Sequence, residues 1–276
     1  MEQKLLKPTE VLAGYDEVSK LYPYIPSLVL WRSWEYAAYK HYQLSEPVLD
    51  LGCGDGNFFK LVWPGVQEAI GVDFDPQTAE VARRSGVYKE VINIPANKIS
   101  FPPNRFASVF ANCSLEHMDR LSEILKNIYH CLRPMGLFIL SVVNDKFIEW
   151  SSLPLLLTSL GEGRRARALQ KGYHTFNHVV NPLSISQWIE SLHKAGFQVQ
   201  EHIPIVPEIT SRLFLFIDQL WHISTKKSEI GDSIYSYLKR LSGFPKGFRD
   251  VLAGVLYMEN DLSIGSGAVF LATRME

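Results

Sequence analysis

Short apolar runs alternate with amphipathic stretches through the first half of the chain, and this alternation predicts an α/β sheet with parallel crossovers. Strands are expected near Pro47 to Leu51, Glu68 to Asp73, Glu90 to Ile94, Ser108 to Ala111 and Leu137 to Val143. Helices fit between them at Asn57 to Trp63, Pro76 to Ser85 and Leu121 to Leu132, the last stopped by Pro134 and Gly136. After Val143 the rhythm breaks. A long stretch precedes a helix from Ser184 to Ala195, which Gly196 ends and a strand from Phe197 to Ile203 follows. A second interruption, Pro204 to Ser263, comes before a closing strand from Ala268 to Thr273. Within it, Ile209, Leu213, Phe216, Ile217 and Leu220, then Ile230, Ile234, Tyr237, Leu238 and Leu241, then Phe248, Val251, Leu252 and Val255 keep helical spacing. They predict three short amphipathic helices.

The first strand runs into Asp50-Leu51-Gly52-Cys53-Gly54-Asp55-Gly56-Asn57. Closely spaced glycines after a buried strand let the backbone approach a ligand where a side chain would collide. A dinucleotide fingerprint requires G-x-G-x-x-G with a pyrophosphate over the helix N-terminus. Here Asn57 holds the third-glycine position and a carboxylate, Asp50, precedes the first glycine. That charge repels a pyrophosphate and suits a ligand carrying an ammonium and a sulfonium. The next strand ends in Asp73, roughly 20 residues on, where an acid can accept hydrogen bonds from a ribose diol.

Val48-Leu49-Asp50-Leu51-Gly52-Cys53-Gly54-Asp55-Gly56, Gly71-Val72-Asp73, Phe106 to Asn112, Leu115-Glu116-His117 and Leu132-Arg133-Pro134-Met135-Gly136 resemble the successive motifs of class I S-adenosylmethionine-dependent methyltransferases, in the small-molecule branch typified by ubiquinone-type and sugar methyltransferases. The resemblance covers about residues 30 to 143, with weaker similarity from Ser184 to Val199. It implies a Rossmann-like, seven-stranded, mostly parallel sheet with an antiparallel last strand, plus helical cap insertions. It also implies one domain over residues 1–276: an N-terminal cover at 1–45, a cofactor-binding core at 46–143, and caps at 144–183 and 204–263. Both caps leave the carboxyl edge of the sheet, where open α/β sheets bind ligands. They are placed to build a substrate pocket, the alternative being that they cover apolar sheet surface or form a dimer contact.

S-adenosyl-L-methionine is the cofactor the resemblance implies, held by Asp50, Gly52, Cys53, Gly54, Asp73, Phe74, Ala96, Asn97, Asn112, Cys113 and Ser114. From the N-terminal cover, Tyr15 and Arg32 are added, the arginine to pair with the methionine carboxylate. A surface salt bridge to Glu35 is the plainer role for Arg32. The other aromatic residues there, Tyr22, Tyr24, Trp31, Trp34, Tyr36, Tyr39 and Tyr42, read as packing. After the third strand the chain departs from the family: Pro95 stands where an acid usually meets the adenine amino group, leaving the Ala96 backbone and the Asn97 amide to serve.

Composition narrows the partners. With 28 basic and 29 acidic side chains the chain has no global field for nucleic acid, and Arg164-Arg165-Ala166-Arg167 reads as a solvated helix face. Cys53, Cys113 and Cys131 lack metal spacing and, with no signal sequence, suggest reduced thiols in a cytoplasm. Charges at Arg212 and Asp218 interrupt the most apolar late stretch, so no integral membrane segment is expected. His117 and His174 are the candidate acid/base residues for an acceptor hydroxyl. His174 and His178, four apart, lack an evident third ligand, and no metal is expected. The expected activity is methyl transfer to an O or N atom of a small, apolar or amphipathic molecule. A nicotinamide oxidoreductase and a noncatalytic S-adenosylmethionine-binding protein are the alternatives, the second supported by Pro95.

Overall fold

The computed structural model describes residues 1–223 and 228–275, and of residues 173–176 the backbone alone. Eight strands form one sheet: β1 (Glu2–Gln3), β2 (Val48–Leu51), β3 (Ala69–Asp73), β4 (Glu90–Asn93), β5 (Phe106–Asn112), β6 (Leu132–Val143), β7 (Phe197–Ile205) and β8 (Gly267–Arg274), in the order β1-β7-β8-β6-β5-β2-β3-β4. All neighbours pair in parallel except β8, which runs antiparallel between β6 and β7. The Rossmann-like arrangement holds with eight strands instead of seven. The additional strand is β1, which pairs Glu2 with Glu201 and Gln3 with His202. Two exposed polar residues at a sheet edge carry no apolar alternation, so no pattern announces them.

Helices α1 (Pro8–Val18) and α2 (Pro26–Tyr39) precede β2, and α3 (Asn57–Val62), α4 (Pro76–Ser85) and α5 (Leu121–Cys131) connect the parallel strands. All four residues of β2 are buried, as a strand covered on both faces requires. Alternate side chains split between two apolar layers: Val48 and Phe110 join α1, α2 and α3, while Leu49, Leu51 and Val109 join α5 and the later helix α9 (Ile185–Lys194). Asp50 therefore points to the α2 side. Asp75 caps α4, accepting from Thr78 N at 2.7 Å, and Ser184 caps α9 through a box with Gln187.

The break after Val143 holds α6 (Lys146–Glu149), α7 (Ser152–Ser159) and α8 (Gly163–Phe176). The later interruption holds the three expected helices, α10 (Glu208–Trp221), α11 (Ile230–Leu238) and α12 (Phe244–Met258). One boundary moves. Leu132 pairs with Phe106, and the chain loops out through Met135 (φ 59°) before resuming with Leu137 opposite Ser108, so Pro134 and Gly136 sit in an irregularity of β6. The N-terminal aromatics fasten the inserts to the core: Trp31 meets Phe147 of α6 at 5.6 Å and Phe214 of α10 at 5.1 Å between ring centroids. Among the described residues, no helix is long and apolar enough to cross a membrane.

Candidate functional site

Three cavities open along the carboxyl edge, and shared residues join them. The largest, about 410 Å³, is lined by Gly52, Asp73, Phe74, Pro95, Ala96, Asn97, Cys113, Ser114 and His117 among others. A small one of about 90 Å³ shares Gly52 with it and adds Tyr22, Arg32, Asp50, Cys53, Gly54 and Asn112. A third, about 290 Å³, shares Cys113 and His117 with the first and Arg32 with the second.

The loop after β2 sets this geometry. Gly52 has φ +76°, and a Cβ there would sit 2.6 Å from that of Ser114. At Gly54 (φ +55°) a Cβ would meet nothing within 4 Å, so its open side faces the cavity. Gly54 N donates to Asp73 Oδ2 at 3.0 Å, and Asp75 N donates to Oδ1 at 3.0 Å. Asp73 is thus fixed by backbone on both oxygens, each keeping a further lone pair for a diol.

Asp50 is 2% exposed. Its Oδ2 accepts from Tyr88 Oη at 2.6 Å, while Oδ1 has no hydrogen-bond partner. Burial, with Asp73 adding to it and Tyr88 opposing, pushes the carboxyl up to about 7. Arg32 lines the same cavity. It pairs with Glu35 Oε2 at 2.5 Å and lies over the Phe58 ring at 5.1 Å. Burial is the largest single influence and works against its charge, but Glu35 together with Cys113, Tyr22 and Tyr39 outweighs it and holds the pKa above the ordinary value. The pair is not a surface bridge: Glu35 is fully buried, and its Oε1 accepts from Cys113 Sγ at 2.9 Å and Ser141 Oγ at 2.7 Å. An unpaired carboxylate oxygen and a guanidinium in one small cavity fit the two charges of an amino-acid end.

Phe74 is 74% exposed at the rim of the large cavity, and Ala96 and Asn97 face it from a turn that Pro95 opens. Cys53 lies in the wall of the small cavity and Ser114, donating to Leu51 O at 2.9 Å, in that of the large one. Asn112 reaches the small cavity, where its Oδ1 accepts from Tyr39 Oη at 2.7 Å. Tyr15 is placed elsewhere. Its buried hydroxyl donates to Pro245 O at 2.7 Å, its ring meets Phe248, and it lines none of the three cavities. Tyr22, read from sequence as packing, is the tyrosine that lines the small cavity. Tyr22 lies beyond the end of α1, so helical spacing does not project it.

The third cavity is walled by Trp31, Phe147, Phe214 and Trp221, with Glu116, His117 and Asp218 among its polar residues. His117 Nδ1 is 3.3 Å from the His178 carbonyl oxygen, which can only accept, so Nδ1 carries the proton and Nε2 keeps a lone pair. Desolvation lowers the imidazole pKa. Glu116 is fully buried; Oε1 accepts from Val143 N at 3.2 Å and Oε2 has no partner. Burial, reinforced by Glu35, pushes its carboxyl up to about 8. Glu35, Glu116 and Asp218 were not among the expected site residues, and an acid inside the apolar context of Leu115 or of α10 was the available signal. The His174 side chain lies outside the described residues, and among those described no group of three His, Cys, Asp or Glu could hold a metal.

Residues 4–202 match the model of a family described as a methyltransferase domain. Demethylmenaquinone methyltransferase of Symbiobacterium thermophilum is 29% identical over 141 residues, 47% of this chain and 55% of that protein. The mitochondrial ubiquinone biosynthesis O-methyltransferase of Saccharomyces cerevisiae is 26% identical over 162 residues, 55% of this chain and 49% of that protein. The matches thus span about half the length of these curated relatives. Among solved structures, a Thermotoga maritima S-adenosylmethionine-dependent methyltransferase, described as a possible histamine N-methyltransferase, aligns over 94% of this chain and 97% of its own with TM-score 0.56 and 16% identity. Haemonchus contortus phosphoethanolamine N-methyltransferase 2, solved with S-adenosyl-L-methionine, aligns over 83% and 48% with TM-score 0.51 and 19% identity. At these identities the likeness is one of fold.

Proposed function

Because the chain belongs to the methyltransferase domain family, an enzyme family whose cofactor here is S-adenosylmethionine, we propose that it methylates an oxygen or nitrogen atom of a small, apolar or amphipathic molecule seated in the 290 Å³ cavity. The observation that carries this reading is the junction of the three cavities. An amino-acid seat with Asp50 and Arg32 and a nucleoside seat with Asp73 meet at Gly52, and the aromatic cavity joins them through Cys113, His117 and Arg32. Asp50 would hold the cofactor's ammonium, Arg32 its carboxylate, Asp73 the ribose diol, and Phe74, Ala96 and Asn97 would border the base. The buried unpaired oxygen of Asp50 fits an ammonium and opposes a pyrophosphate. That fit argues against the nicotinamide alternative, and the match to a methyltransferase domain argues against the noncatalytic one.

When bound, S-adenosylmethionine supplies a methyl group already activated by its sulfonium. The protein's work is then alignment, water exclusion and proton handling. Trp31, Phe147, Phe214 and Trp221 give the acceptor cavity apolar walls, and the insertions at 144–183 and 204–263 act as its cap. His117, deprotonated at neutral pH, can take a hydroxyl proton at Nε2. Glu116 Oε1 lies 3.9 Å from that nitrogen, and its carboxyl, pushed up to about 8 by burial, is mainly neutral at neutral pH. Relatives named for demethylmenaquinone and ubiquinone biosynthesis support an aromatic, apolar acceptor.

The test is a methyl-transfer screen with phenols, catechols and aromatic amines, run on the wild type and Phe214→Ala. Transfer to at least one member, lost in Phe214→Ala while S-adenosylhomocysteine still binds, supports the reading. Transfer that is indifferent to Phe214 contradicts the placement of the acceptor.

A further inference from the structure

The hairpin of α7 and α8 exposes apolar surface beside positive charge. Leu155, Leu156 and Leu160 are 53%, 55% and 75% accessible. Arg164, Arg165 and Arg167, at the start of α8, are exposed next to them. A single exposed leucine is ordinary, but three so close together form a patch that water does not favour. Between Ser151 and Gly172 the one acid is Glu162, 3.6 Å from Arg165. Among the described residues, Arg164 and Arg167 have no acidic partner. The arginines were read from sequence as a solvated face, which accounts for their charge and leaves the leucines unexplained.

We propose that this hairpin docks on an anionic lipid bilayer, its leucines entering the headgroup boundary and its arginines meeting lipid phosphates. A second copy of the chain fits the face less well. A two-fold contact through it would bring the arginines of both copies together, with Glu162 the one acid on each side. The position of the hairpin gives docking a use. Phe147, just before it, and Asn177 and Val179, just after it, line the 290 Å³ cavity. At its start Gln219 Nε2 of α10 donates to Ser151 Oγ at 2.7 Å. Docking would set the rim of that cavity against the phase in which an apolar molecule dissolves. The bilayer contact itself goes beyond the proposed methyl transfer and does not depend on it.

Flotation with vesicles of phosphatidylglycerol and phosphatidylcholine in equal parts, compared with phosphatidylcholine alone, tests the proposal. Binding to the anionic vesicles is expected, weakening as salt is added. It should fall about tenfold or more in Arg164→Glu/Arg165→Glu, since each cation near such a surface contributes roughly a fivefold factor and both are lost. A comparable fall is expected in Leu156→Asp/Leu160→Asp. All four positions are exposed, and unchanged melting temperatures and S-adenosylhomocysteine affinity would show that the variants fold. No binding by the wild type, equal binding to both kinds of vesicle, or equal binding by the variants would overturn the proposal. So would a wild type that ignores vesicles but self-associates through this face, with the association lost in the leucine variant.

Discussion

Replacing Asp50 with Asn should separate stability from ligand binding, and pH should reveal the separation. The folded-state value of Asp50, about 7, lies above the ordinary 3.8, so the native state holds a proton that the unfolded chain releases. The contribution of this group is therefore most favourable below about pH 4, declines as pH rises toward 7, and is flat above. At about 1.36 kcal/mol per pKa unit, the ionised carboxylate costs the ligand-free protein on the order of 4 kcal/mol at pH 8. An unpaired Asn amide at the same place costs about 1–3 kcal/mol. The net expectation for Asp50→Asn is a gain of about 1–3 kcal/mol at pH 8, or several degrees in melting temperature for a chain of this size, and none at pH 4.5. Binding should move the other way. An ammonium against the ionised carboxylate makes wild-type affinity for S-adenosylhomocysteine rise as pH climbs toward 7 and then level. Asp50→Asn should bind at least about tenfold more weakly at pH 8, with that rise removed. Thermal melts and calorimetry across pH 4.5 to 8.5 measure both. Equal stabilisation at both ends of the range, or unchanged affinity, would refute the reasoning.

Asp73→Ala removes an acceptor placed for a diol and also frees the Gly54 amide, and should weaken S-adenosylhomocysteine at least about tenfold by calorimetry. Gly54→Val puts a branched side chain into the open space of the seat at φ +55°, where it meets no protein atom but carries backbone strain of about 1–2 kcal/mol. It should abolish cofactor binding while circular dichroism still reports the sheet. His117→Gln should lower turnover on a hydroxyl acceptor by about 10²–10⁴ and remove the acid limb of the pH–rate profile, with cofactor affinity nearly intact. An unchanged profile would assign His117 a steric role.

The sheet was legible because its parallel strands are buried runs bounded by glycine, proline and capping residues, as at Asp75 and Ser184. The glycine loop after β2 was legible because positive φ and close approach leave glycine little competition at Gly52 and Gly54. Side-chain direction was harder to read. Spacing cannot say that Tyr15 turns to Pro245 while Tyr22 reaches the small cavity, since that depends on how α1 meets α12. The same holds in α10, where Phe216 is 40% exposed and Phe214, two positions away, lines the 290 Å³ cavity. The buried acids Glu35 and Glu116 escaped because a carboxylate in sequence reads as surface until its partners are seen. Those partners, Arg32, Cys113, Ser141 and Val143, come from distant parts of the chain.

A crystal structure with S-adenosylhomocysteine tests the central claim most directly. The account predicts the amino-acid end between Asp50 and Arg32, the ribose on Asp73, and the sulfur open to the cavity walled by Trp31, Phe147, Phe214 and Trp221. A ligand whose sulfur faces away from that cavity, or whose amino-acid end leaves Asp50 unpaired, would contradict it.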